Sequence, residues 1–234
     1  MQKTTIQLPR EKQPLSGLVF DMDGLMYDTE RIIKESWDEA GTEMGYGPLG
    51  FHIFHTLGMS RKGRESYFKQ QLGDDFPYSE FQDRYAEKTY AKTAHTIPVK
   101  PGLYDLLDYL KKEHYLLAVA TSSSRESALR KLRGSNLPED YFDVIICGDM
   151  VKKAKPDPEI YETACRKLNR PPKQLIALED SENGLKSALA AGMRAIMIPD
   201  LIRDCPDTEP FLDGKLDRLD DVIDFIKAHY LHVE

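Results

Sequence analysis

The sequence predicts an α/β protein: a doubly wound, mostly parallel sheet with an inserted all-helical unit. Three observations lead there. Short aliphatic runs alternate with stretches of helical periodicity, the pattern of strands buried on both faces and joined by crossover helices. The alternation breaks once, between Thr29 and about Pro98, where helical patterns succeed one another with no aliphatic run between them. The 234 residues amount to about one and a half domains at roughly 150 residues each. One full domain with an insert fits that length.

The elements follow in order. Residues 1–15 are polar, contain Pro9 and Pro14, and lack the apolar middle of a signal peptide; they are expected to form a flexible N-terminal extension. Leu18-Val19-Phe20 is the first strand, so residues 16–30 open the core. Residues 31–97 form the helical insert. Ile33, Trp37, Ala40 and Met44 share one helical face that ends near Gly45, and Tyr67, Phe68, Leu72, Phe81, Tyr85 and Tyr90 fall in further helical segments. Trp37 and the tyrosines are expected in the core of this insert. The α/β core resumes over residues 98–234. Leu103, Leu106, Leu107 and Leu110 mark a helix after Pro101-Gly102. Residues 116–120, 144–147, 175–178 and 195–198 are the later strands. Ile160, Tyr161, Ala164 and Leu168 mark a helix with Asp157 as N-cap and Pro158 at the first helical position. Another helix starts after Ser181 and stops at Gly192. Leu219, Val222, Ile223 and Ile226 mark the last.

Composition bounds the function. Hydrophobic residues at 41% and charged residues at 30% are globular proportions. A net charge of −7 argues against a general nucleic-acid or anionic-membrane binder, which needs a basic face. It does not exclude a phosphorylated substrate, because an anion site uses a few local charges. No apolar run approaches the roughly 20 residues of a membrane span. Cys147, Cys165 and Cys205 are odd in number and widely spaced, neither a disulfide framework nor a zinc site. They read as thiols of a reducing compartment, and a cytoplasmic monomer or weak homo-oligomer is expected.

In an open α/β sheet, ligands sit at the carboxyl ends of the strands. The first strand leads into Asp21-Met22-Asp23-Gly24, the second into Thr121-Ser122, the third, a little later, into Lys155-Pro156, and the fourth into Glu179-Asp180. Taken singly, these read as turn carboxylates, a helix cap, a surface lysine and an acidic helix start. Together they converge on one sheet edge, as phosphoryl transfer around a hard divalent cation requires. Carboxylate oxygens suit Mg²⁺. An ionised aspartate can attack phosphorus, and a second acid can protonate the leaving oxygen and then activate water. A lysine, a hydroxyl and loop amides can neutralise the transferring oxygens. Gly24 permits a tight turn just after the acids.

On these residues the sequence resembles the haloacid dehalogenase superfamily, specifically its sugar-phosphatase and β-phosphoglucomutase-like members with a helical cap after the first strand of a Rossmann-like core. Phe20-Asp21-Met22-Asp23-Gly24-Leu25-Met26-Tyr27-Asp28-Thr29-Glu30 matches the first motif and Ala120-Thr121-Ser122-Ser123 the second. Lys155-Pro156-Asp157-Pro158 matches the third, and Leu178-Glu179-Asp180-Ser181, continuing to Gly184 and Ala190-Ala191-Gly192, the fourth. The resemblance implies that Asp21 is the nucleophile and a metal ligand. It implies that Asp23 is the general acid/base and gives its backbone carbonyl to the metal. Thr121, Ser122 and the following amides hold the phosphoryl group, Lys155 bridges it, Asp180 ligates Mg²⁺, and Glu179 either ligates it or supports a ligand. Thr29 falls at the hinge to the cap.

The expected function is therefore a Mg²⁺-dependent phosphatase of a small phosphorylated metabolite such as a sugar or polyol phosphate, acting through an aspartyl phosphate. Members that dehalogenate carbon lack the second aspartate, which is present here as Asp23. The β-phosphoglucomutases carry His twelve residues after the nucleophile, where this chain has Ile33; a phosphosugar mutase is the alternative. A phospho-accepting receiver domain is the remote one, since receivers are shorter, uncapped and place the acceptor later. In the cap, Leu57-Gly58-Met59-Ser60-Arg61 resembles the group's substrate-facing segment, so Arg61 is a candidate contact to the distal part of the substrate. Lys62 and Arg64 are expected to face solvent. His52 and His55 are expected to pack locally, and Asp28 to be structural.

Overall fold

In the computed structural model, which describes residues 11–94 and 96–233, the strands are β1 (Gln13–Leu15), β2 (Gly17–Phe20), β3 (Leu116–Thr121), β4 (Val144–Cys147), β5 (Leu175–Glu179), β6 (Arg194–Met197), β7 (Gly214–Lys215) and β8 (Tyr230–His232). The helices are α1 (Glu30–Glu43), α2 (Arg61–Leu72), α3 (Tyr78–Thr93), α4 (Leu103–Lys112), α5 (Arg125–Gly134), α6 (Glu159–Leu168), α7 (Glu182–Ala190) and α8 (Asp221–His229). Six strands form one parallel sheet in the order β4-β3-β2-β5-β6-β7, and β1 pairs in parallel with β8. Strand β2 therefore lies inside the sheet, with β3 on one side and β5 on the other. The order reverses there, which opens a crevice at the carboxyl ends.

The aliphatic runs form strands because both sheet faces are covered. Successive side chains point to opposite faces. Leu18 and Phe20 of β2 join Leu106, Leu132 and Val222 of α4, α5 and α8 in one apolar cluster. Val19 faces the other way, into a cluster with Ile160 of α6 and Leu185 of α7. Each such fully buried side chain stabilises the fold by roughly 1.5–3 kcal/mol.

Between β2 and α4 the chain forms α1, α2 and α3, which enclose a third apolar cluster around Trp37, Phe68, Phe76 and Phe81. Trp37 meets Phe68 edge-on at 5.2 Å between ring centres, a favoured aromatic geometry. Tyr78 and Tyr85 are buried in this cluster, whereas Tyr90 is exposed and lies 5.3 Å beneath the Arg130 guanidinium. His52 packs locally, its Nδ1 3.0 Å from the Tyr67 hydroxyl. Two antiparallel connections tie this unit to the sheet: the Asp28 N–H donates to Pro98 O and the Lys100 N–H to Met26 O, each at 2.9 Å.

Several details differ from the expectations. Of the extension over residues 1–15, residues 1–10 lie outside the described part, but Gln13–Leu15 form β1 with Leu15 fully buried. Helix α6 starts one residue later than expected, at Glu159. Pro158 is its N-cap, and the Asp157 carboxylate accepts the Glu159 N–H at 3.1 Å. Helix α5 falls in a stretch where no helix was expected. The three cysteines are free and buried. No helix among the described residues is long and apolar enough to cross a membrane.

Candidate active site

The carboxyl ends of β2, β3 and β5 bring Asp21, Thr121 and Glu179-Asp180 to one edge, and the loop before α6 delivers Lys155. The Asp21 N–H donates to Leu178 O at 3.0 Å, so the first residue past β2 is still fixed by β5. Lys155 is buried, and its ammonium donates to Asp21 Oδ1 at 2.6 Å, Glu179 Oε1 at 2.6 Å and Ala120 O at 2.9 Å. All three protons of the cation are thereby used. Glu179 also accepts the Tyr161 hydroxyl at 2.6 Å on Oε1 and the Ser181 hydroxyl at 3.1 Å on Oε2. Ser181 in turn caps α7, accepting the Gly184 N–H at 3.1 Å.

Oxygens of Asp21, Glu179 and Asp180 all lie within 4.8 Å of one another. Three buried carboxylates against the single Lys155 cation leave uncompensated negative charge. Burial raises the Asp21 pKa to about 7, aided by Glu179 and opposed by Lys155. Burial, with Asp21 and Glu179 nearby, pushes Asp180 well above the ordinary carboxylate range. An all-oxygen donor set with excess negative charge fits a hard cation such as Mg²⁺. Gly24 makes room for the Asp180 carboxylate. Its φ is +84°, and a Cβ there would lie 2.1 Å from Asp180 Oδ2.

Asp23 is held apart from this cluster. Its Oδ1 accepts the Thr29 hydroxyl at 2.9 Å and the Lys131 ammonium, and its Oδ2 accepts the Ser123 hydroxyl at 2.7 Å. Burial alone would raise its pKa, yet Lys131 and these hydroxyls lower it to about 2. Thr121 Oγ1 accepts the Ser123 N–H at 3.1 Å, shaping the loop after β3. The Ser122 hydroxyl donates to Gly58 O at 3.0 Å, a bond from the sheet edge to the helical unit.

Above the edge lies a cavity of about 320 Å³. Asp21, Asp23, Thr121, Ser122 and Asp180 line one side; Glu30, Trp37, Arg61, Arg64, Gln82 and Thr89 line the other. Every residue singled out in the sequence for chemistry thus borders this space, except Lys155 and Glu179, which sit behind Asp21. Three contributors were not anticipated. Lys131 reaches Asp23 from α5. Glu30 faces the cavity with its pKa raised to about 8 by burial and by Asp23. Arg64 is not solvent-facing as expected: it lines the cavity, donates to Met59 O at 3.1 Å, and its buried Nε has no acceptor among the described residues.

The chain is similar to known proteins over most of its length. The family model for haloacid dehalogenase-like hydrolase matches residues 18–198. A phosphorylated carbohydrates phosphatase of Thermotoga maritima is 33% identical over 184 residues, covering 78% of this chain and 84% of that protein. Protein CbbY of Cereibacter sphaeroides is 34% identical over 199 residues, covering 79% and 84%. The crystal structure of CbbY from Rhodobacter sphaeroides in complex with phosphate superposes with a TM-score of 0.74 at 31% identity, covering 89% of this chain and 96% of that one. A central strand that leads into Asp21, the motif residues gathered at its end and this similarity coincide, and the chain belongs to the haloacid dehalogenase-like hydrolase family.

Proposed function

We propose that this hydrolase is a Mg²⁺-dependent phosphatase of small phosphorylated metabolites, sugar or polyol phosphates above all, working through an aspartyl phosphate on Asp21. The observation that carries this reading is the placement of Asp21. It follows an interior strand directly, contacts Lys155 at 2.6 Å, lies within 4.8 Å of two further carboxylates and opens on the cavity.

Asp21, Asp180 and the Asp23 carbonyl would hold the ion, with Glu179 beside them. When bound, the ion neutralises phosphoryl oxygens and lets the carboxylates stay ionised. An Asp21 oxygen attacks phosphorus, and the bond from phosphorus to the ester oxygen breaks. The electron pair leaves on that oxygen, which takes a proton from Asp23. Asp23 then removes a proton from water; the water oxygen attacks phosphorus, the bond to Asp21 breaks, and inorganic phosphate leaves. Thr121, Ser122 and the loop amides hold the oxygens that do not leave, and Lys155, from behind Asp21, offsets the charge of the site through its bond to Asp21. Glu179, engaged by Lys155, Tyr161 and Ser181, keeps that lysine in place. Asp23 as it stands is an anion held by Lys131, so its acid step requires Lys131 to shift onto the substrate and Asp23 to take up a proton from solvent; the proton it later removes from water restores the acid for the next turnover.

The polar cap wall of Glu30, Arg61, Arg64, Gln82 and Thr89 supports a hydroxylated leaving group, as does the relative named for phosphorylated carbohydrates. Ile33 lines the cavity and has no proton to move, which favours hydrolysis over mutase chemistry. Residues 31–97 act as the cap that excludes bulk water. Three free buried thiols support a reducing, cytoplasmic setting.

The test is phosphate release from a panel of phosphorylated metabolites with and without Mg²⁺, with Asp21→Asn as the blank. The expected outcome is metal-dependent turnover of sugar or polyol phosphates by the wild type and at least a roughly 10⁴-fold loss in a folded Asp21→Asn protein. Substantial release by that variant, or none by the wild type on any ester, would sink the reading.

A further inference from the structure

We propose that Asp200 is a positioning residue for this reaction: it anchors both connections between the helical unit and the sheet. Through Arg31 it sets where the first turn of α1 sits over the nucleophile. The proposal rests on the reading above that α1, α2 and α3 cover the site.

Asp200 follows β6, the neighbour of β5, and so lies on the same sheet edge as Asp180. Its side chain is 0% exposed. Its Oδ1 takes two cations, the Lys100 ammonium at 2.5 Å and the Arg31 guanidinium at 2.7 Å. Arg31 also pairs with Asp28, and Lys100 lies 4.0 Å from Asp28. Asp28 and Lys100 belong to the outgoing and returning connections, already cross-bonded at Asp28–Pro98 and Lys100–Met26. Arg31 is the second residue of α1. One carboxylate oxygen therefore gathers a core loop, the return connection and the first turn of the cap.

A carboxylate shut off from water holds its charge only while its partners stay. If α1 swings away and takes Arg31 with it, Asp200 is left half-compensated. Its Oδ2 has no partner among the described residues to share the load. The Arg31 side chain is 52% exposed, so water can replace what Arg31 loses. The penalty falls on the buried side alone, so the clamp favours the seated arrangement without locking it. The two residues before Arg31 do the work at the site: the Thr29 hydroxyl holds Asp23, and Glu30 faces the cavity. A displacement of about 1 Å in this turn is enough to misplace both.

The experiment uses the full chain and Trp37, its only tryptophan, which lies on α1 and lines the cavity. Arg31→Met is the first variant because Arg31 is half exposed and its loss is the least threat to folding. It is expected to raise KM for a sugar phosphate by about tenfold with a much smaller change in kcat. Trp37 emission should also move to the red before any substrate is added. Arg31→Lys should recover most of both effects. Lys100→Met should act in the same direction, and the double variant should lose more than the two single losses added together, because only the second removal leaves the buried carboxylate with no cation at all. Unchanged KM and unchanged Trp37 emission in Arg31→Met would overturn the proposal. So would strictly additive losses with no emission change, the mark of two independent surface pairs. The emission readout needs no turnover, so it still decides the clamp if the phosphatase reading fails for lack of phosphate release.

Discussion

Asp21 and Asp23 stand two residues apart, and their surroundings push them in opposite directions. Asp21 is raised to about 7, mainly by burial, so near neutrality it is only partly ionised until a cation arrives. A ligand must be deprotonated before it binds a metal. Mg²⁺ affinity should therefore climb as pH rises through about 7, with protons released on binding. Calorimetric titration in two buffers of different ionisation enthalpy measures both, and a pH-independent affinity would count against Asp21 as a ligand. Asp23 is depressed to about 2 from an ordinary 3.8. A carboxyl lowered by folding contributes stability that is present above its unfolded pKa and is lost as pH falls through the folded one. Lys131→Met removes the largest of the influences that lower Asp23 and should cost about 1.5–3 kcal/mol at pH 7, the usual worth of a hydrogen bond to a charged group. The gap from wild type in urea unfolding should narrow below about pH 4. At this scale the sequence showed the acids, Thr121 and Lys155, because each follows a recognisable strand. It did not show Lys131, Glu30 or Arg64. Whether a long charged side chain points to water or into a cavity depends on which helix face is buried, and tertiary packing decides that.

Helix α7 shows an element shaped by its site. Alanine is the better helix former by roughly 0.5–1 kcal/mol, yet Gly184 sits in the first turns of α7. A Cβ there would lie 2.0 Å from the Glu179 carboxylate, which Lys155, Tyr161 and Ser181 hold in place. Overpacking costs about 1–3 kcal/mol and should win. Gly184→Ala is expected to destabilise by about 2 kcal/mol in urea unfolding and to reduce phosphate release along with it. A stabilised, fully active variant would show that Glu179 is free to move. The strands were the most readable elements, because a run such as Leu175-Ile176-Ala177-Leu178 is buried on both faces and excludes other patterns. Helix α5 was not readable. It buries only Ala128, Lys131 and Leu132, too thin a stripe among so many charges. Strand β7 has two residues, and β1 and β8 three each, too short for any alternation to register.

Across the whole molecule, the apolar cluster around Trp37 and Phe68 is distinct from the two clusters that sandwich the sheet, and among the described residues only the partly buried Ile202 packs against both it and one of them. Damage to one should therefore spare the other. Phe68 is fully buried, and Phe68→Ala should remove about 3–5 kcal/mol from the helical unit. Mg²⁺ binding at the sheet edge should survive while sugar-phosphate hydrolysis falls, a split that calorimetry and phosphate release can measure side by side. The position of β2 carries a consequence of another kind, in time. Gly17 pairs with Leu116 on one side and Leu175 on the other, so its second partner is made more than 150 residues later. At roughly 5–20 residues per second, a ribosome leaves the strand before Asp21 without its second partner for about 8–30 seconds. Pairings this distant also form slowly once the chain is free. The helices of α1, α2 and α3 rely on nearer contacts and can settle first. In the order of synthesis the helical unit precedes most of the sheet, and Asp21, made before both, gains its surroundings among the last.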